Sequence, residues 1–365
     1  MRRLNWLVGC VVGVSLLGAC GAPPEDGEQE LAVSDDAREL DASAVTVTLS
    51  AAKSSLAMND SASVSVTLTN SGSHAVRLLR WHTPVDGVKD SLFALTRDGE
   101  PVTYLGAHYK RPAPTSGDYL RLAPGESLTR TVDLASVYDL SQTGSYSVRY
   151  DLESMHHGGD EGVSALRSEA LTLWVEGRQS GPQLQADDSV NALFGTITYA
   201  ANCSSTRRSS ISSGLNTASS YANNSVSYLN GTPGSKPRYV TWFGTYVSSR
   251  WSTVRTHFVN IKSAIDTKPL SFDCGCTDSA YAYVYPTQPY KIYLCSAFWS
   301  APTTGTDSKA GTIIHELSHF NVVAATDDRA YGQTAAKSLA RSNPAGAVDN
   351  ADSHEYFAEN TPFQN

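Results

Sequence analysis

The chain is short of positive charge. It carries 28 Lys and Arg against 36 Asp and Glu, a formal net charge of −8, which leaves no basic footprint for a nucleic-acid partner. Apolar runs are scarce as well. The one that heads the chain, Leu7-Val8-Gly9-Cys10-Val11-Val12-Gly13-Val14-Ser15-Leu16-Leu17, is too short and too asymmetrically flanked for a mature membrane helix. Preceded by Arg2 and Arg3 and closed by Leu17-Gly18-Ala19-Cys20, it reads as an export signal over residues 1–20. That ending resembles a bacterial lipobox, which would lipidate Cys20 and supply the only membrane association expected; an ordinary signal peptide with an incidental cysteine is the alternative. Cysteine is also sparse. Outside the signal only Cys203, Cys274, Cys276 and Cys295 remain, an even number that suits disulfides in an exported chain and leaves three pairings open. A metal site at Cys274-Gly275-Cys276 is disfavoured, because the spacing falls short of CxxC and no second pair stands nearby.

Proline is absent from Thr303 to Asn343, and this stretch contains His315-Glu316-Leu317-Ser318-His319 behind the apolar Ala310-Gly311-Thr312-Ile313-Ile314. A helix from Ser308 to Val322 is expected; on it, residues four apart share a face, so both imidazoles reach one metal ion and Glu316 faces a water beside it. That is the arrangement of a zinc hydrolase. Such a site needs a third protein ligand and keeps one position open. The metzincin continuation would require glycine and histidine where Val322 and Ala325 stand. Glu355 and Glu359 lie far along the chain for a thermolysin-like ligand.

Ala325-Thr326-Asp327-Asp328-Arg329-Ala330-Tyr331-Gly332 resembles the GTxDxxYG motif of the aspzincins, the deuterolysin family of zinc metalloendopeptidases. Aligned on its Tyr-Gly end, the motif selects Asp328 as the third ligand and leaves Asp327 in the variable position. The first glycine is replaced by Ala325, and alanine resists positive φ. Further stretches resemble the peptidyl-Lys metalloendopeptidase branch: Tyr239 to Gly244, Tyr281 to Pro286, Cys295 to Trp299, Ala301 to Ser308 and Asn350 to Asn360. The resemblance runs from about Thr198 to the C-terminus. It implies one Zn2+ on His315, His319 and Asp328, with Glu316 as general base and Tyr331 as donor to the oxyanion. It also implies disulfides Cys203–Cys274 and Cys276–Cys295, and a lysine pocket lined by Asp352 and Glu355. A capping box at the start of a helix is the competing account of that last pair.

Residues 21–42, rich in Asp, Glu, Pro and Gly, form a tether. Over 43–176 the pattern has period two: Val45 to Leu49, Val64 to Thr69, Leu128 to Val132, Tyr146 to Tyr150 and Leu171 to Val175 are among seven or eight short strands. They predict an N-terminal immunoglobulin-like all-β sandwich, a propeptide by the resemblance. It carries no catalytic constellation, and His156, His157 and Asp160 read as a solvated loop. Residues 177–197 are a linker. Residues 198–365 are expected to be a mainly α (α+β) zincin-type catalytic domain with a small hairpin. Ile211, Leu215, Ala218 and Ala222 mark one apolar helix face, Val254, Phe258, Ile261 and Ile265 another. The second hairpin strand, Ile292 to Cys295, is expected to take extended substrate by β-addition.

The reading is a monomeric, exported or envelope-anchored zinc endopeptidase. It acts on protein or peptide substrates and cuts on the amino side of lysine. A broader deuterolysin-like protease is the alternative, followed by an inactive envelope binding lipoprotein. No lysine occurs between Lys110 and Lys236, so a lysine-directed enzyme could not cut its own linker, and maturation near Thr198 is expected to need another protease or tolerance of Arg178.

Overall fold

The computed structural model describes residues 44–152, 165–182 and 195–365. The export signal with Cys20, the tether, and the loop with His156, His157 and Asp160 fall outside the described residues. Among the described residues no helix is long and apolar enough to cross a membrane.

The N-terminal region is made of short strands: β1 (Val45–Ser50), β2 (Ser55–Leu56), β3 (Ser63–Asn70), β4 (Val76–Leu79), β5 (Phe93–Arg97) and β6 (Glu100–Pro101). They are followed by β7 (His108–Lys110), β8 (Tyr119–Leu122), β9 (Ser127–Asp133), β10 (Gly144–Leu152), β11 (Leu166–Arg167) and β12 (Leu171–Val175). One sheet runs β1-β3-β9 and a second runs β2-β12-β10-β5-β6, with β11 paired to β10 and β4 to β8. Strict alternation decides which face is buried. Val64, Val66 and Leu68 of β3 and Tyr146, Val148 and Tyr150 of β10 point into one shared core between the sheets. β7 belongs to neither sheet.

The C-terminal region opens with β13 (Ile197–Tyr199), α1 (Ser205–Leu229), α2 (Pro237–Phe243), α3 (Ser248–Thr267) and β14 (Leu270–Asp273). It continues through β15 (Ala282–Val284), β16 (Lys291–Leu294), α4 (Ser296–Ser300) and α5 (Lys309–His319). It closes with α6 (Gly332–Ser342), α7 (Pro344–Val348) and α8 (Ala351–Glu359). The Ser204 side chain caps α1 by accepting from the Arg207 amide. Below it Ile211, Leu215, Ala218 and Ala222 are buried at helical spacing. α3 buries Trp251, Val254, Phe258 and Ile261 in the same core. The helices cover a five-stranded sheet of order β13-β14-β16-β15-β7, so the last strand comes from the N-terminal region. Disulfides Cys203–Cys274 and Cys276–Cys295 tie the start of α1 and the end of β16 to the segment after β14.

Two expectations change. The second hairpin strand is expected to carry the substrate edge, but β16 pairs with β14 on one side and β15 on the other, so of the two hairpin strands only β15 has an outer side, which β7 occupies. The parallel β14 could not be read as a partner from the hairpin alone. The metal-motif helix also ends earlier than a reading through Val322 suggests, because Phe320 turns extended at φ −60, ψ 129.

Candidate active site

α5 is buried along its whole length. The Ser308 side chain caps it through the Gly311 amide at 2.9 Å, and Glu359 of α8 accepts from the Ser308 amide at 2.8 Å and its hydroxyl at 2.7 Å. Gly311 permits that contact, since a Cβ there would lie 2.1 Å from Glu359 Oε1 and 2.9 Å from Glu355 Cγ.

The two histidines of α5 share its inner face, with ring centroids 4.8 Å apart. Asp328 Oδ1 stands 3.1 Å from His315 Nε2 and 3.4 Å from His319 Nε2. The loop that delivers Asp328 is pinned on both sides. Ala325 adopts φ +51 where the motif has glycine, so the left-handed turn is kept with an alanine in it. The Thr326 amide donates to Ser318 O at 3.1 Å, and Asn350 Oδ1 accepts from the amides of Arg329 and Ala330. Thr326 O takes the Nδ1 proton of His319 at 2.8 Å, leaving Nε2 as a lone pair facing Asp328. His315 Nδ1 faces Asp352 Oδ1 at 3.0 Å and Glu355 Oε2 at 3.3 Å. Carboxylates behind a histidine in this way fix its tautomer and raise its strength as a ligand.

Both Glu316 oxygens are buried without a side-chain hydrogen-bond partner, and the buried Nε2 atoms of His315 and His319 meet only the Asp328 carboxylate. Orphaned polar atoms in a dry interior are costly, each by about 1–3 kcal/mol. Two imidazole nitrogens and one carboxylate oxygen converging on one point form a donor set that zinc satisfies. The residues therefore fit the metal. Burial pushes the Glu316 carboxyl up to about 7, with His315 and His319 opposing the rise. Burial would raise Asp328 too, but His319 and His315 hold it well below the usual carboxylate range.

β7 lies antiparallel along β15, with Tyr109 opposite Tyr283 and Lys110 opposite Ala282. Lys110 is fully buried. Its Nζ sits 3.0 Å from each of Asp307 Oδ1, Asp352 Oδ1 and Glu355 Oε2. Burial would lower its pKa, but Asp352 and Glu355 hold it well above the usual lysine value. In return Lys110 overrides burial at Asp352, which is lowered, whereas burial prevails at Glu355, which is raised. The rings of Tyr281 and Tyr356 flank the ammonium at 5.5 and 5.1 Å, and the Tyr356 hydroxyl donates to Asp307 Oδ1 at 2.7 Å. The cleft beside the HExxH helix thus holds an extended strand with a lysine in a pocket of carboxylates.

Residues 228–359 match the sequence profile of the lysine-specific metallo-endopeptidase family. An extracellular protease of Aeromonas hydrophila is 49% identical over 314 residues, covering 84% of this chain and 90% of that protein. A peptidyl-Lys metalloendopeptidase of Grifola frondosa is 39% identical over 318 residues, covering 82% of this chain and 88% of that protein. A solved zinc peptidase from Grifola frondosa is 53% identical and covers 45% of this chain and 100% of that chain, with a TM-score of 0.44. The chain belongs to the lysine-specific metallo-endopeptidase family. It is a zinc metalloendopeptidase.

Within this metalloendopeptidase the remaining site candidates are spread unevenly. Tyr331 is buried beside Asp328 in sequence but packs edge-on against Trp81 of the N-terminal region, with centroids 6.0 Å apart. The following Gly332, at φ +84, donates its amide to Asp352 Oδ2 at 2.6 Å. Asp352 therefore serves three partners at once: His315, Lys110 and the Gly332 amide. Its carboxylate accepts no bond that a capping box at α8 would require, and the Asn350 side chain makes no cap there either. Sequence reading missed Asp307 and Lys110. Asp307 lies inside a stretch that resembles the family, yet no local spacing relates it to Asp352. Lys110 sits in a short strand with nothing nearby to distinguish it.

Proposed function

We propose that the chain is the precursor of a zinc endopeptidase that hydrolyses peptide bonds on the amino side of lysine. In this reading His315, His319 and Asp328 hold the zinc, residues 1–20 direct export with lipidation at Cys20, and residues 43–176 form an immunoglobulin-like propeptide whose β7 fills the substrate cleft. One observation carries the specificity: the Lys110 ammonium lies at 3.0 Å from three carboxylates in a closed pocket beside α5. Three carboxylates repel one another unless a cation enters, and an ammonium offers three donors in a compact head. The broader planar fork of arginine fits that geometry less well.

Bound zinc supplies Lewis-acid polarisation of the scissile carbonyl and acidifies the attacking water. Glu316, raised toward neutrality by burial, accepts the water's proton and delivers it to the leaving amine. Tyr331 donates to the oxyanion once Trp81 has left with the propeptide. β15 aligns the substrate backbone by strand addition, as it aligns β7. Asp307, Asp352 and Glu355 hold the lysine that follows the cut. The test is digestion of a mixed proteome with the mature enzyme, followed by sequencing of the new N-termini. Lysine should dominate the first position, and Glu316→Ala should lower turnover by roughly 10²–10⁴-fold. A broad distribution of first residues would reassign the enzyme to deuterolysin-like specificity.

A further inference from the structure

We propose that His108 is a fourth protein ligand to the metal in the precursor, occupying the position that the mature enzyme keeps open for water and substrate. The inference rests on the reading of His315, His319 and Asp328 as zinc ligands. Candidate ligand atoms of His108, His319 and Asp328 all lie within 4.8 Å of one another, and the rings of His108 and His319 are 4.8 Å apart at their centroids. His108 comes from the N-terminal region, 211 positions before His319 (319 − 108).

The geometry that brings it there is specific. Side chains two apart on a strand share a face. With Lys110 seated in its pocket, His108 is turned to the same side of β7, toward α5. The Tyr109 amide donates to Asp328 Oδ2 at 3.0 Å, fixing the strand along its length and leaving Oδ1 for the metal position. Asp327 Oδ1 stands 3.4 Å from His108 Nδ1. With Nδ1 committed to that carboxylate, Nε2 is the nitrogen left for a metal. Asp327 thus relates to His108 as Asp352 does to His315, a carboxylate orienting a histidine from behind. It is a positioning residue, and this gives a use to the position next to the ligand that the family motif leaves variable.

Three protein ligands and an open position make a zinc site catalytic, while four protein ligands make it closed. The precursor would therefore be restrained twice by one strand: Lys110 fills the lysine pocket and His108 fills the coordination site. Removal of β7 would restore both together, with no rearrangement of α5.

The test uses the full-length precursor carrying Glu316→Gln, so that it stays intact, with cobalt substituted for zinc. With His108 present, the visible absorption of cobalt should be that of a site without water and should not change with pH. His108→Ala and the more conservative His108→Gln should both alter that spectrum and release zinc to a chelator about 10-fold faster or more. Asp327→Asn should shift the release rate in the same direction by a smaller factor. The melting temperature of each metal-free variant checks folding, and His108→Gln carries the test where His108→Ala is unstable. Spectra and release rates that match the parent within twofold would overturn the proposal. His315→Ala tests the underlying reading separately: if it binds cobalt as the parent does, the three-ligand assignment itself fails.

Discussion

In β3 the buried positions are Val64, Val66, Leu68 and Asn70, and the residues between them are half exposed. In α5 every residue from Lys309 to His319 is buried, including a lysine, two histidines and a glutamate. The strand buries what its own alternation sorts, with neighbours β1 and β9 supplying apolar faces of the same kind. The helix cannot satisfy its polar groups from its own sequence. Its partners come from afar: Asp328 from the following loop and Asp352 and Glu355 from α8, which Lys110 of the other region binds in turn, with Glu359 of α8 holding the Ser308 cap. A sheet core of that kind tolerates any apolar residue of similar size. A buried ionic cluster depends on each member, because removing one leaves the others charged and unpaired.

The largest break in that comparison should come from Lys110→Ala in the full-length chain. It leaves Asp307, Asp352 and Glu355 without their shared cation, at a cost on the scale of about 3–5 kcal/mol for a broken buried pair. Calorimetry should show a lower melting temperature, and cleavage of a lysine-containing peptide by the full-length chain should rise. An unchanged melting curve would mean that β7 is not docked in solution.

The next effect separates two carboxylates of the same pocket. Asp352→Asn removes support from both His315 and the lysine ammonium, so zinc affinity should fall about 10–100-fold along with activity. Asp307→Asn touches the ammonium and the Tyr356 hydroxyl, with no contact to His315 shown. It should raise KM for lysine substrates about 10-fold while zinc content stays at one per chain. Equal zinc loss in both variants would dissolve the distinction.

A smaller effect concerns pH. His354 Nδ1 donates to Asn350 O at 2.9 Å, and its Nε2 accepts from His257 Nδ1 at 2.9 Å. Burial lowers His257 to about 4, and burial with His257 alongside lowers His354 to about 3. Both folded values lie below the ordinary 6.5, so the unfolded chain binds more protons as pH falls. The contribution is full above about pH 6.5 and is lost progressively toward pH 3–4. His257→Gln should flatten the acid side of the stability profile by up to about 1 kcal/mol per pH unit, measured by thermal melting between about pH 6 and 4. A parallel slope in the variant would exclude the pair as a cause.

The smallest effect is at Ala325, whose φ of +51 carries a left-handed penalty of about 1–2 kcal/mol, offset in part by the chain entropy that glycine adds. Ala325→Gly should raise stability by about 1 kcal/mol or less without altering zinc content. A fall in melting temperature would indicate that the alanine methyl packs usefully in the loop.

Local periodicity carried a large part of this protein into view. The four-residue spacing of His315 and His319 and the absence of proline around them define a helix with a metal face. Alternation defines β3 and β10. These are short-range statements, fixed by bond geometry within one element, whereas the choice of Asp328 over Asp327 rests on the resemblance to the family motif. Spacing alone also relates Asp352 to Glu355, but it is equally compatible with a helix cap, and only the packing of α8 on Gly311 turns the pair toward His315 and the cleft. Tertiary structure alone decided that β15 is the edge, that Asp307 completes the pocket, and that His108 and Lys110 enter the site. Lys110 and Asp352 are 242 residues apart. No pattern within either segment encodes that contact, because it depends on β15 presenting its outer side to β7 once β16 lies between β14 and β15.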